Sequence, residues 1–284
     1  MQGFLDIFDI YLLEAVINGI LLGGVLALLA LGLNLIFGVI DVTWICYAEL
    51  VMIGMYAMYF LVQFYGVSYF IAAPLTILLV AALGALLHYL VIAPLLTAPP
   101  INQLLATGGV LFVLQSFATV AFGIDFRNLG IRLPVLVLGD MNFSYARLLS
   151  FAAALFGMIA VYLFMTRTFT GTAIRAISQD RQIMALMGVD TRRIYLITSA
   201  LGGALAGLAA CLLVLQYDVH PFVGLSFGPI TFLICVLGGL GNFIGGFIAS
   251  FVFAEIIAAA ADYEQSNRTH LRSERQLGYA AAQN

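Results

Sequence analysis

Three carboxylates, Glu14, Glu49 and Glu255, fall inside long apolar runs, together with the amides Asn34 in GLNLIFG and Asn242 in GGLGN. An ionisable group at membrane depth is costly, so each is a candidate for a proton, an ion or a solute pathway. Glu14 stands near the end of its run, where a long side chain reaches the interface. Glu49 follows Cys46 at the start of the next run; it reads either as a pathway residue or as a first-turn acid favoured by the helix dipole. Asn34 and Asn242 are expected at helix breaks and either line a path or satisfy freed backbone groups.

Other chemistries lack their residues. Cys46, Cys211 and Cys235 lie in apolar runs without CxxC or Cys/His spacing, and His88 and His220 belong to no HExxH or paired-histidine pattern. No metal site or cofactor is expected, and no nucleophile–base pair is visible. GGLGNFIGG has no preceding strand and no Lys-Ser/Thr, so it is not a phosphate loop.

The elements that must position these groups are membrane helices. In 284 residues, 63% are hydrophobic and 9% charged, with a mean hydropathy of +1.10, far outside the range of soluble domains. The net charge is -3 and every cation is arginine, which leaves no basic stripe for nucleic acid. MQGFLDIFDI lacks the positive n-region of a secretory signal and reads as a mature N-terminus.

Since about 20 apolar residues cross a bilayer, spans are expected near 11–37, 46–65, 68–95, 102–123, 144–166, 194–215, 228–240 and 243–261. The fold class is therefore an all-α, polytopic bundle of about eight spans, occupying residues 1–261. The last two spans are separated by GGLGN and read either as two short spans or as one broken helix. Gly203 with Gly207, and Gly241 with Gly245, are GxxxG pairs suited to close helix packing. Residues 262–284 turn polar and are expected to be a disordered tail.

Between two spans lies TGTAIRAISQDRQIMALMGVDTRR, within a loop at 167–193. Arg167, Arg175, Arg181, Arg192 and Arg193 concentrate there, which makes it cytoplasmic by the positive-inside rule. The 124–143 loop and the N-terminus then lie outside. The segment reads as two short helices: Ile174 and Ile177 line one face of the first, Asp180 caps the second, and Ile183, Leu186 and Met187 form a stripe before Gly188 stops it. A solvated connecting loop would explain the charges. It would not explain apolar residues aimed at water, for which a docking helix is the better reading.

The run from Thr170 through the Gly/Ala-rich span, the later FLICVLGGLGNFIGGFIAS and the early LGLNLIFGVIDVTWICYAELVMIGMYA together resemble ABC permeases for branched-chain amino acids, the LivH type, over most of residues 25–255. The resemblance implies an inner-membrane importer subunit without catalysis of its own. It further implies a second homologous permease, ATPase subunits, a periplasmic solute-binding protein and surrounding membrane lipid as partners. It makes 167–193 the coupling loop, with Leu186 and Met187 filling a groove on the ATPase, Arg175, Asp180 and Arg181 fixing orientation at its rim, and Gly188 ending the helix.

Two departures stand out. Where the family carries Asn-Phe-Ala-His-Gly, this chain has Trp44, Ile45, Cys46, Tyr47 and Ala48, and Gln182, Ile183 and Met184 replace Glu-Ala-Ala. The solute is expected to be a branched-chain or other neutral amino acid; urea or a short amide, or an ion-coupled secondary transporter using Glu49 and Glu255, are the alternatives. The polar tail stands where family members continue into one more span, which a changed reading frame or an artificially imposed chain boundary would explain.

Overall fold

In the computed structural model, which describes residues 2–131, 135–138 and 141–260, apolar runs become helices because a bilayer offers the backbone no other partner. Helix α1 spans Gln2–Ile40, and its stretch Val16–Ile40 is long and apolar enough to cross a membrane. Glu14 thus precedes that stretch on the same helix. Helix α2 (Tyr47–Tyr59) continues through a π-helical turn, Phe60–Phe64. Helix α3 (Tyr69–Leu87) likewise continues through a π-helical turn at His88–Ile92 to Leu95. Helix α4 is Pro100–Phe122, with proline at its first position, where the missing N–H costs nothing.

After α4 a short antiparallel hairpin, β1 (Val135–Leu138) with β2 (Met141–Ser144), leads into α5, Tyr145–Arg167. The hairpin falls largely within the 124–143 loop expected from the sequence. Two short helices follow, α6 (Phe169–Gln179) and α7 (Arg181–Leu186), then α8, Thr191–Leu213. Helices α9 (Val223–Gly238) and α10 (Phe243–Ala260) close the described chain. The glycine-interrupted stretch is therefore two helices. The first of them starts five residues before the expected 228, because Gly224, Gly228 and Pro229 mimic a break. The tail at 262–284 lies outside the described residues.

Among the described residues seven helices are long and apolar enough to span a membrane, with α9 a shorter eighth. Helices α1, α2 and α8 are mostly buried and form the centre, while α3, α4, α5 and α10 are mostly exposed. Phe70, Val120 and Phe156 sit on that outer surface, where lipid is the natural solvent.

Small residues let the central helices approach. A Cβ on Gly203 would fall 2.6 Å from the Val80 carbonyl oxygen, and one on Gly207 would fall 3.0 Å from the Ile77 Cα. Backbones at that spacing gain dispersion contacts, which are the main attraction between helices already in lipid.

Hydrogen bonds distinguish the two ends of the bundle. At one end Arg127 and Val219 exchange backbone bonds of 2.9 and 2.7 Å, and the Asn128 amide donates to Asp218 at 2.7 Å. Arg147 at the start of α5 donates to Asn18 on α1 at 2.8 Å. At the other end Arg181 meets Asp41, just past α1, at 3.5 Å. The loops assigned outside therefore meet each other, and the arginine-rich segment meets the far end of α1.

Candidate functional site

The arginine-rich segment folds as two helices of opposite character. In α6 the Thr168 hydroxyl accepts from the Gly171 N–H at 3.0 Å, closing the N-terminus, and Ala173, Ile174 and Ile177 are buried against the bundle. A glycine is required at 171, since a Cβ there would fall 2.5 Å from the Met165 Cα. Helix α7 begins where the Asp180 carboxylate accepts from the Ile183 N–H at 3.0 Å, and it ends at Gly188, whose φ of +82° suits glycine. Ile183, Leu186 and Met187 are exposed, Leu186 at 88% and Met187 at 75%. Arg175, Asp180 and Arg181 are exposed beside them. Asp190 then caps α8 by accepting from the Arg193 N–H at 3.3 Å.

The second region lies within the bundle, between α1 and α2. Helix α1 ends on Asp41, whose φ of +61° is the left-handed conformation, and its N–H donates to the Phe37 carbonyl at 2.8 Å. Residues 41–46 are non-helical, yet Val42, Trp44 and Cys46 are buried. Irregular backbone survives at such depth only where protein satisfies it, and here the Thr107 hydroxyl on α4 donates to the Thr43 carbonyl at 2.9 Å. The Tyr47 hydroxyl donates at 3.2 Å to the carbonyl of Gly202, in the middle of α8. Helix α2 consequently starts inside the bundle, not at its surface.

That start borders a cavity of about 260 Å³. Trp44, Tyr47 and Ala48 form one wall, Leu104 and Leu111 of α4 another, and Gly224, Gly228 and Phe232 of α9 a third. Glu49 is fully buried one residue further on, and neither carboxylate oxygen has a hydrogen-bond partner. Its carboxylate occupies the space above Gly224, where an added Cβ would fall 2.6 Å from Oε1.

Asn34 and Asn242 sit elsewhere, and Asn34 lies inside the unbroken helix α1, not at the helix break expected there. Buried Asn34 accepts from the Gly241 N–H at 3.2 Å and so holds the α9–α10 turn against α1. Asn242 is exposed and caps α10, accepting from the Gly245 N–H at 3.1 Å. In the same turn Gly241 has a φ of +80° and lies over Gly38, where a Cβ would meet the Gly38 Cα at 3.0 Å. Gly245 crosses Gly238 so closely that any Cβ would strike its carbonyl. Glu255 packs over Gly19 on α1, its carboxyl 2.8 Å from where a Cβ would stand.

Beside the Arg127–Val219 bridge Phe126 packs against His220 with ring centroids 4.7 Å apart and planes tilted by 46°, and partial burial lowers the imidazole pKa while Asp218 opposes that shift. Among the described residues no three His, Cys, Asp or Glu side chains gather as a metal site would require.

Sequence reasoning missed two features. The cavity joins segments too distant in sequence for periodicity to connect. Arg181, read as an orienting residue for a partner, also pairs with Asp41 of its own chain. The available signal was the cluster of departures at Trp44–Ala48, four of which, Trp44, Ile45, Tyr47 and Ala48, line the cavity.

Residues 15–269 match the family described as branched-chain amino acid transport system / permease component. The high-affinity branched-chain amino acid transport system permease protein BraD of Pseudomonas aeruginosa is 28% identical, over 88% of this chain and 86% of that one. LivH of Escherichia coli K12, a permease protein of the same description, is 27% identical over 88% of this chain and 87% of its own. A solved ABC transporter in an inward-facing conformation aligns with a TM-score of 0.43 at 18% identity, over 89% of this chain and 77% of that one. That likeness is too distant to carry an argument.

Proposed function

The chain belongs to the branched-chain amino acid transport permease family, and on that premise we propose that it moves a branched-chain or other neutral amino acid inward, driven by ATPase subunits that seat on its coupling segment. It is a permease subunit, a multi-pass protein of the bacterial inner membrane. One observation supports the seat most strongly: Leu186 and Met187 are left bare on a helix held at the arginine-rich end of the bundle. Exposed residues of that size at an otherwise charged surface are the usual anchors of a protein interface.

The lever follows from the packing. Helix α6 buries Ile174 and Ile177 in the bundle, so a force on α7 reaches the spans through α6 and through the Arg181–Asp41 pair next to residues 42–46. A partner that contacts α7 more favourably in one nucleotide state than in another would bias the bundle between two packings by that difference alone. The turn braced by Asn34 and Asn242, together with the cavity beside α2, belongs to the part that repacks. Chemistry on the nucleotide belongs to the partner; this chain supplies the pathway and the contact. A second homologous permease and a periplasmic solute-binding protein complete the assembly we propose.

The deciding experiment measures uptake of radiolabelled leucine by proteoliposomes holding the whole complex. Uptake that needs hydrolysable ATP and survives collapse of the proton gradient is the expected result. Uptake that continues with an inactive ATPase but stops when the gradient collapses would overturn it.

A further inference from the structure

One buried group plays no part in the coupling described above. Glu49 lies in the first turn of α2 with its carboxylate over Gly224 in the first turn of α9. Both helix N-termini carry partial positive charge, which favours an anion there. They do not satisfy it, since both oxygens lack a hydrogen-bond partner although the residue is fully buried. The ion pairs Arg181 with Asp41 and Arg193 with Asp190 both lie in or beside the coupling segment and do not involve Glu49. An unpaired carboxylate in apolar surroundings is strongly disfavoured, so a group retained there is neutralised, either by a proton or by a cation from outside the chain.

The neighbouring cavity indicates what brings that cation. Trp44 and Tyr47 give it aromatic surface and Phe232 closes it from α9. Gly224 and Gly228 keep the α9 wall thin: a Cβ on Gly224 would strike the carboxylate, and one on Gly228 would come 3.2 Å from the Ala48 methyl. Glu49 is thus one glycine away from an apolar cavity of about 260 Å³. Ligand pockets commonly combine an apolar lining with one placed charged group.

We infer that Glu49 and this cavity form a binding site within the permease for a small primary ammonium compound with an apolar body, the ammonium pairing with Glu49 and the body lying against Trp44. The inference rests on the amino-acid permease reading and sharpens it, because urea and simple amides carry no cation to meet the carboxylate. A sideways shift of α9 at Gly224 opens the carboxylate to the cavity, which ties occupancy to the repacking of the bundle.

Trp44 is the single tryptophan of the chain, so it reports on its own site. The test records tryptophan fluorescence of the whole complex without its binding protein, subtracting the Trp44→Phe complex as a blank. Leucine and isoamylamine are expected to change the difference signal saturably, while isocaproate, which lacks the amine, and urea are not. Glu49→Gln is expected to raise the half-saturating leucine concentration at least about tenfold while the ATPase subunits still co-purify. If that variant does not assemble, the ligand series on the unsubstituted complex decides alone. A response to isocaproate equal to that for isoamylamine overturns the assignment. So does no response to any ligand from a complex that takes up leucine with ATP, and in that case the importer reading stands. A complex that transports no neutral amino acid instead overturns the importer reading, and the inference with it.

Discussion

Helices α6 and α7 are neighbours of similar composition, each carrying an isoleucine-led stripe, yet they make opposite use of it. Ile174 and Ile177 of α6 are buried at 1% and 0% exposure, whereas Leu186 and Met187 beside α7 stand at 88% and 75%. Amphipathic pattern alone therefore does not say which surface a stripe will cover. Position does: α6 follows α5 directly and folds back on it through Gly171, while Asp180 and Gly188 hold α7 as a separate six-residue piece that reaches past the bundle. One helix fastens the segment and the other offers it.

Breaking the fastening should have the largest effect. Ile177→Asp puts an unpaired charge into the bundle and is expected to cost more than about 4 kcal/mol, read as loss of detergent-stable permease on size exclusion. Ile177→Ala at the same site should cost about 2–5 kcal/mol, depending on how far the gap collapses, and should lower the melting temperature without preventing insertion. The comparison breaks if Met187→Asp destabilises the bundle as much as Ile177→Asp does, for then α7 is also a packing element. Met187→Asp should leave the unfolding free energy within about 0.5 kcal/mol of the parent, as exposed substitutions do.

Smaller effects probe the connections. An exposed ion pair is worth about 0–1 kcal/mol, so Asp41→Asn should barely change stability. It should nonetheless reduce transport per ATP hydrolysed if the Arg181 link conveys motion, and the exchange of charges in Asp41→Arg with Arg181→Asp should restore it. The smallest effect lies in the His220–Phe126 contact. The imidazole pKa is lowered on folding, with burial as the main cause, so the folded state binds fewer protons than the unfolded one within the histidine range. Stability should then fall as pH drops through that range and be unaffected above it. Because the ring is only partly buried and Asp218 opposes the shift, His220→Gln should remove only a slight acid sensitivity.

Much of this architecture was legible in the sequence for a simple reason: crossing a bilayer demands an uninterrupted apolar helix, and each long run became one. Asp180 and Gly188 likewise announced the breaks of the arginine-rich segment by a local hydrogen bond and a backbone preference. The start of α9 was not legible, because Gly224, Gly228 and Pro229 look like a turn when their neighbours are unknown. In the fold those glycines make room for Glu49 and Ala48. The hairpin at 135–144 was hidden for a related reason: its Val-Leu-Val-Leu run is too short to distinguish from apolar loop. The cavity was least legible of all. Tyr47 and Gly202 are 155 residues apart, and no periodicity within a helix reports such a meeting.

The central claim, that the bare ridge of α7 seats an ATPase, is tested most directly by purifying the affinity-tagged permease with its ATPase subunits and measuring their stoichiometry in the Met187→Asp variant. An unpaired charge forced into a desolvated groove should weaken association by about 3 kcal/mol, roughly a hundredfold. The account predicts a folded, membrane-inserted permease stripped of ATPase. Full stoichiometric recovery of the ATPase with that variant would contradict it.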